Sequence, residues 1–538
     1  MIRAPSAGST LTQLLLDASR YGEKPAFSLV SSDDNRILSA LTFAGAVEAG
    51  KRAAGALRGA GVGSGDRVII AAAPSTTWIV TFLGTIFAGA VAVPVNHRYR
   101  QRELAALISV CEPTVIVVDE ETEVPAVAAI EKVGSPAQMI HLGRHDFLPG
   151  DPFTPETPRP EDLAVILSTS GTTGEPKGVE RTQGQYAVFT QRLSSHAMKP
   201  DDRVLNFLPL YHQAGLVCSF LSAFIAGIPT FHIDRFNRRT FWSTVDTHEL
   251  TWAILMQPVP RYLLEDAGED PDRSHTLKWI VATLSQEDWI SFQERFGVAV
   301  NSSYGSTETT IVRMTGSRQE GAVASDRIRG PLGGALCGRA PESWADVRVV
   351  DEAGQVVPPE QPGFIEVRGA TVLEGYFRSP AATTNAFIRD EWYHTRDFGY
   401  FSAAGDLYFL ERISGLIRRS GENIAPREVE EVLEEHPAVA EAAVVGIADE
   451  TRGQEVAAFV VPRSGATVTA DDLFRICEQN LAYFKVPRYI ELRAELPHTP
   501  TFKVMRDALE LSPEAIDRAE AKRPRPVSSE LQNQPSGG

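Results

Sequence analysis

Between residues 40 and 120 the chain alternates two hydrophobic periods, and this alternation restricts the fold more than any other feature. Residues 43–60 repeat apolar side chains at helical spacing, 66–70 open a β-branched run, 78–89 form a second apolar helix pattern, and Val-Ala-Val-Pro-Val follows at 91–95. Strands apolar on both faces that alternate with helices belong to a parallel sheet covered on both sides. Further strands are expected at 114–118, 163–167, 252–255, 279–282 and 298–300. At 538 residues and 43% hydrophobic composition, the chain exceeds what one core accommodates. From 345 to 368 the pattern changes to short β runs broken by Gly and Pro, a small β subdomain. Beyond Arg412 come an amphipathic helix at 427–435 and strands at 441–445 and 457–461, a compact α+β unit.

The expected fold is therefore α/β. A large N-terminal domain with βαβ parallel-type sheets and the small β subdomain covers 1–411, followed by a hinge at 412–415 and a small α+β domain over 416–521. The tail, 522–538, has almost no apolar residues and is expected to be disordered.

A formal charge of −17 opposes long-range encounter with nucleic acid or an anionic membrane, so anionic ligands must meet locally positive sites. Cys111, Cys218, Cys337 and Cys477 are scattered, with no CxxC pair and no metal-ligand spacing, which fits a reducing cytoplasm. The apolar run before Asp17 is too short for an export signal. The apolar stretch at 215–228 falls short of the ~20 residues of a membrane span and is read as a buried helix. Only 9 of the 52 basic residues are lysines, so a lysine inside a motif carries weight.

The strand at 163–167 runs directly into Ser-Thr-Ser-Gly-Thr-Thr-Gly-Glu-Pro-Lys-Gly at 168–178. Thr169, Ser170, Gly171, Thr172, Thr173 and Gly174 combine hydroxyls with glycines that permit close backbone approach, and Lys177 adds a point charge. Such a loop wraps a triphosphate. It is not GxxxxGK[ST], because Pro176 precedes the lysine. A flexible Ser/Thr/Gly linker is the competing reading, and the apolar strand feeding the segment argues against it.

Seven further segments follow a known order: GDRV at 65–68, GAVAVPVN at 89–96, LPLYHQAG at 208–215, YGSTE at 304–308, WYHTRDFGY at 392–400, FKVPRYIE at 484–491 and LPHTPTFKVMR at 496–506. With Glu411-Arg412 and RRSGENIAPREVEE at 418–431, they make the chain resemble, over nearly its whole length, the adenylate-forming superfamily of acyl-CoA synthetases, adenylation domains and luciferases. Within it the chain most resembles the crotonobetaine/carnitine-CoA ligases.

This resemblance implies ATP-dependent conversion of a carboxylic acid to acyl-AMP with pyrophosphate release, then transfer of the acyl group to coenzyme A. It implies that Thr172, Thr173, Gly174 and Lys177 surround the β- and γ-phosphates. In YGSTE, Tyr304 would lie against the adenine beside Gly305 and Ser306, Thr307 would contact the α-phosphate, and Glu308 would bind Mg²⁺, which prefers a carboxylate oxygen. Asp397 would accept from the ribose hydroxyls with Arg412 supporting it. Lys503 would bridge carboxylate and α-phosphate, stabilising charge as it develops. His212 would stand at the mouth of the acyl pocket, with a core histidine as the alternative. In the family the small domain turns on the large one between half-reactions, and Gly415 occupies the hinge position.

Three positions depart from the family pattern: Arg396 precedes Asp397 where a glycine is usual, Val-Ala-Thr-Leu-Ser at 281–285 replaces a glycine-rich adenine loop, and Phe502 precedes Lys503. They bear on the second half-reaction and its acceptor. A carrier-protein thiol, an amine or another small nucleophile is the alternative acceptor, and a catalytically silent nucleotide binder is the remaining reading. Arg418, Arg419, Lys485 and Arg488 are candidate coenzyme A phosphate contacts or else solvated charges.

Overall fold

The computed structural model describes residues 8–143, 150–170, 176–256, 259–265, 274–317, 323, 325–328, 330–339, 345–388, 391–412, 417–419, 422–424, 426–449, 452–481, 484–498 and 504–518. It divides into two compact units: a larger one of 1–330, 335–395 and 400–408, and a smaller one of 331–334, 396–399 and 409–538.

Two sheets dominate the larger unit. The first runs in the order Gln138–His141, Val115–Val118, Arg67–Ala71, Val91–Pro94, Leu163–Ser170, Pro176–Thr182; all its pairs are parallel except the last. Successive side chains of its strands enter different cores: Val68, Ile70, Val115 and Val117 face one cluster, and Ile69, Ala71, Ile116 and Val118 the other. Helices Phe43–Gly59 and Thr76–Phe87 fill the first side, Gln101–Cys111 and Glu123–Val133 the second. This is the doubly covered sheet that the βαβ pattern requires.

The second sheet has the order Ala299–Asn301, Trp279–Ala282, Trp252–Leu255, Val204–Asn206, Thr230–Ile233, Pro25–Val30, Ile37–Thr42, and only its last pair is antiparallel. Every residue of Thr76–Phe87 is buried, because this helix lies in a core shared with that sheet. Small residues permit the approach: a Cβ on Gly84 would come within 2.5 Å of Ala53 Cβ. Thr42 and Ser75 start the two helices by accepting from Gly45 N and Trp78 N.

The apolar stretch at 215–228 is helical and buried, as Ala214–Leu221 in wider π turns followed by Ser222–Ile225. No helix among the described residues is long and apolar enough to cross a membrane. The expected β subdomain is present, with Asp346–Val350 antiparallel to Gly363–Arg368.

In the smaller unit, a long antiparallel pair, Val439–Asp449 with Gly453–Pro462, is extended in parallel by Tyr489–Leu492. Helices Pro426–Glu434 and Ala470–Asn480 close its core through Val429, Leu433, Leu473, Phe474 and Cys477. The 522–538 tail lies outside the described residues.

Candidate active site

The phosphate loop joins two antiparallel strands. Leu163–Ser170 leads in and Pro176–Thr182 leads out, with Thr169 opposite Lys177 and Ser170 opposite Pro176. Gly171, Thr172, Thr173 and Gly174 lie outside the described residues, so only the base of the loop is described. Gly178 is required there, since a Cβ would come within 2.7 Å of an Ile166 methyl. Tyr99 hydrogen-bonds the Ser168 side chain, and burial raises its hydroxyl pKa.

The YGSTE segment is a second hairpin, Ser303–Ser306 against Thr310–Met314. Gly305 permits the pairing: a Cβ would lie 1.9 Å from the Thr310 carbonyl oxygen. Ser306 N donates to Thr309 Oγ1 at 3.0 Å, Glu308 N to Ser306 Oγ at 3.2 Å, and Leu373 N to the Glu308 carbonyl at 2.7 Å. Tyr304 is buried, whereas Thr307 and Glu308 are partly exposed.

Tyr376 brings the two hairpins together. Its ring lies 5.3 Å from Lys177 Nζ, a cation–π distance, and its hydroxyl donates to Glu308 Oε1 at 3.2 Å. The backbone beside it is tied to the outgoing strand, Glu180 N to Gly375 O at 3.1 Å and Phe377 N to Gly178 O at 2.8 Å. Sequence reasoning missed Tyr376, which sits in no recognised motif; its place after Gly375 is the one local sign of a close approach.

His212 lies on the turn between Val204–Asn206 and the buried helical segment. Asn206 shapes this turn, accepting from Leu208 N at 3.0 Å and donating to Gly215 O at 3.2 Å. Tyr211 and His212 rings are 4.5 Å apart and His97 is 6.3 Å from Tyr211. Partial burial lowers the pKa of the His97 imidazole, and desolvation on its inner side acts in the same direction on His212, which is exposed at the surface. Next to them, Gln213 Oε1 accepts from the buried Tyr186 hydroxyl at 3.1 Å, while its Nε2 is buried with no partner among the described residues.

In the smaller unit, Asp397 is buried and accepts from Arg412 Nε at 2.9 Å. Arg396 before it adopts φ 61°, a left-handed conformation natural to the glycine it replaces. The candidate coenzyme A contacts are engaged otherwise. Arg419 is buried and ion-paired with Glu455 at 2.6 Å, Arg488 meets Asp449 at 3.0 Å, and Lys485 meets Glu428 at 2.5 Å. None of these three is simply a solvated charge. The Arg418 side chain, Gly415, Phe502 and Lys503 lie outside the described residues.

Among the described residues no three His, Cys, Asp or Glu side chains form a metal cage. A divalent cation at Glu308 would take its other ligands from phosphate and water, the usual manner of Mg²⁺. The single carboxylate fits that role.

Two family models match the chain, AMP-binding enzyme over residues 16–377 and AMP-binding enzyme C-terminal domain over 428–503. The sulfoacetate–CoA ligase of Cupriavidus necator is 32% identical over 512 residues, 93% of this chain and 97% of that protein. A crotonobetaine/carnitine–CoA ligase of Escherichia coli O157:H7 is 30% identical over 531 residues, 93% and 99% of the two chains. Among solved structures, o-succinylbenzoate CoA synthetase (MenE) from Bacillus subtilis with its acyl-adenylate intermediate superposes with a TM-score of 0.79 at 26% identity, covering 95% of this chain and 100% of that one. The chain belongs to the AMP-binding enzyme family of adenylate-forming ligases, and it is an AMP-forming acid–thiol ligase that activates a carboxylic acid with ATP and passes the acyl group to coenzyme A.

Proposed function

We propose that the two hairpins joined by Tyr376 are the triphosphate site, with Thr172, Thr173, Gly174 and Lys177 on the β- and γ-phosphates, Thr169, Ser170 and Gly171 completing the nucleotide-binding loop, Thr307 on the α-phosphate and Glu308 as the protein ligand of Mg²⁺. The observation that carries this reading is the convergence of Lys177 and Glu308 on one tyrosine, the first over its ring and the second at its hydroxyl. A cation and a metal-binding carboxylate so placed serve a ligand that is both anionic and metal-bound. When present, Mg²⁺ neutralises charge on the phosphate oxygens. The carboxylate oxygen of the acid attacks the α-phosphorus and pyrophosphate leaves; the coenzyme A sulfur then attacks the acyl carbon, AMP leaves, and the thiol proton passes to solvent. Lys503 supplies the charge for the first step, Tyr304 packs on the adenine, and Asp397 with Arg412 holds the ribose.

Gly415 and the 412–415 segment act as the hinge between domains at 1–411 and 416–521, since glycine absorbs the largest change in dihedral angles. Gly415→Pro should keep adenylation and lose transfer; wild-type rates in both steps would contradict the hinge. The working location is the cytoplasm, where ATP and coenzyme A are available, in keeping with four free, buried cysteines.

The acid is a short carboxylic acid bearing a second polar or charged group. Sulfoacetate, carnitine-type acids and o-succinylbenzoate, named for the similar proteins, all have one. The unpartnered Gln213 Nε2 beside His212 is a donor suited to it. Acid-dependent exchange of pyrophosphate into ATP across a panel of acids tests this. Exchange with such acids and little with octanoate or benzoate is expected, and the reverse order would refute the assignment.

A further inference from the structure

Alternation along Pro176–Thr182 puts Lys177, Val179 and Arg181 on one face of the strand leaving the phosphate loop. Lys177 meets Tyr376. Arg181 has no solvent exposure, and it donates from Nη1 to the Thr371 carbonyl at 2.8 Å and from Nη2 to the Thr307 carbonyl. Its Nε has no partner among the described residues, and no described carboxylate hydrogen-bonds it, although Glu308 and Glu374 are close enough to act on its charge.

A guanidinium buried against neutral carbonyls is costly, and an apolar side chain of similar volume would pack there without that cost. Its position must therefore serve something other than packing. The two peptides it grips answer this. Thr307 carries the hydroxyl assigned to the α-phosphate, and its carbonyl belongs to the peptide bond that leads into Glu308. On the far side of Glu308 the carbonyl is held by Leu373 N, so Arg181 and Leu373 pin the carbonyls of two successive residues.

We propose that Arg181 is a positioning residue for adenylation, holding the Thr307–Glu308 peptide so that the Thr307 hydroxyl and Glu308 carboxylate face the Mg-ATP phosphates, with its buried charge adding to that of Lys177. The role rests on the assignment of Thr307 and Glu308 to Mg-ATP. An ordinary buried core residue would affect melting without touching the metal response; a positioning residue shifts the metal response in protein that remains folded.

The experiment compares Arg181→Met, Arg181→Lys and Glu308→Gln in the full chain. Readouts are melting, calorimetric ATP binding with and without Mg²⁺ in the absence of acid, and acid-dependent pyrophosphate exchange. Arg181→Met should lose roughly 10- to 100-fold in Mg-dependent ATP affinity and exchange rate, the size expected when the support of a metal ligand is removed, with KM for the acid unchanged. Arg181→Lys keeps the charge but reaches only one carbonyl, so it should recover part of the loss. Folded Arg181→Met with wild-type Mg²⁺ response overturns the proposal. If Arg181→Met does not fold, Arg181→Lys decides: a raised Mg²⁺ requirement supports the proposal, and wild-type values or failure to fold overturn it. An unchanged Mg²⁺ requirement in Glu308→Gln, beside an impaired Arg181→Met, would instead refute the metal assignment of Glu308 and leave Arg181 acting through Thr307.

Discussion

In the larger unit the loop-bearing hairpins are held by strand pairing and backbone hydrogen bonds, and the fully buried Arg181 beside them meets carbonyls. In the smaller unit buried charges form ion pairs: buried Arg419 with Glu455 at 2.6 Å, buried Asp397 with the exposed Arg412 at 2.9 Å, and buried Glu430 with the partly buried Arg506 at 2.8 Å. A site fixed by backbone geometry keeps its shape while its charges remain available to a ligand. A unit fixed by ion pairs uses most of its charge on itself. Catalytic sensitivity should therefore concentrate in the first region, and sensitivity of folding to the loss of a single charge in the second.

The sharpest way to break this contrast is Arg419→Ala. Removing one partner of a buried pair typically costs about 3–5 kcal/mol, and replacing both partners with apolar residues restores much of it. All seven tryptophans precede residue 396, in the larger unit, so tryptophan fluorescence follows that unit alone. The variant should unfold at lower denaturant by circular dichroism with its tryptophan transition in place. Equal shifts in both signals would abolish the distinction.

Lys503→Ala tests the catalytic side. It should slow acyl-AMP formation by a factor equivalent to ~3–4 kcal/mol and spare thioester formation from supplied acyl-AMP. Equal losses in both half-reactions would remove Lys503 from adenylation.

Acid sharpens the comparison within the larger unit. His232 is buried against Phe27, and burial lowers its imidazole pKa from 6.5 to about 4. Between these values the unfolded chain binds a proton that the folded chain refuses, so stability present above about 6.5 falls as pH drops toward about 4. The full loss is roughly 3 kcal/mol. Tryptophan-monitored denaturation should be less acid-sensitive in His232→Phe, and an unchanged pH slope would exclude His232 as the cause.

The smallest effect is expected from Tyr376→Phe, which keeps the ring under Lys177 and deletes the hydroxyl on Glu308. A loss of about 1 kcal/mol in exchange activity follows from one hydrogen bond. A loss as large as that of Lys503→Ala would give Tyr376 a direct role in the chemistry.

Much of the framework was legible from periodicity. The helix expected at 43–60 is Phe43–Gly59, and the strand expected at 252–255 is Trp252–Leu255, because both are apolar in the pattern their burial demands. The antiparallel return at Pro176–Thr182 was not foreseen, since Pro-Lys-Gly-Val-Glu-Arg-Thr shows no apolar alternation. Arg181 and Arg419 look like surface charges in sequence. Only tertiary partners far along the chain, Thr307 and Thr371 for one and Glu455 for the other, reveal them as buried. The YGSTE and phosphate-loop residues are candidates in the sequence because their spacing is local, whereas Tyr376, which contacts Lys177 and Glu308, lies in a segment without such a signature.

The most direct test of the central claim is the mass of the products formed from ATP, coenzyme A and an acid that supports pyrophosphate exchange. AMP, pyrophosphate and acyl-CoA are expected in equal amounts, with acyl-AMP accumulating when coenzyme A is withheld. Exchange that yields no thioester when coenzyme A is supplied would contradict that claim.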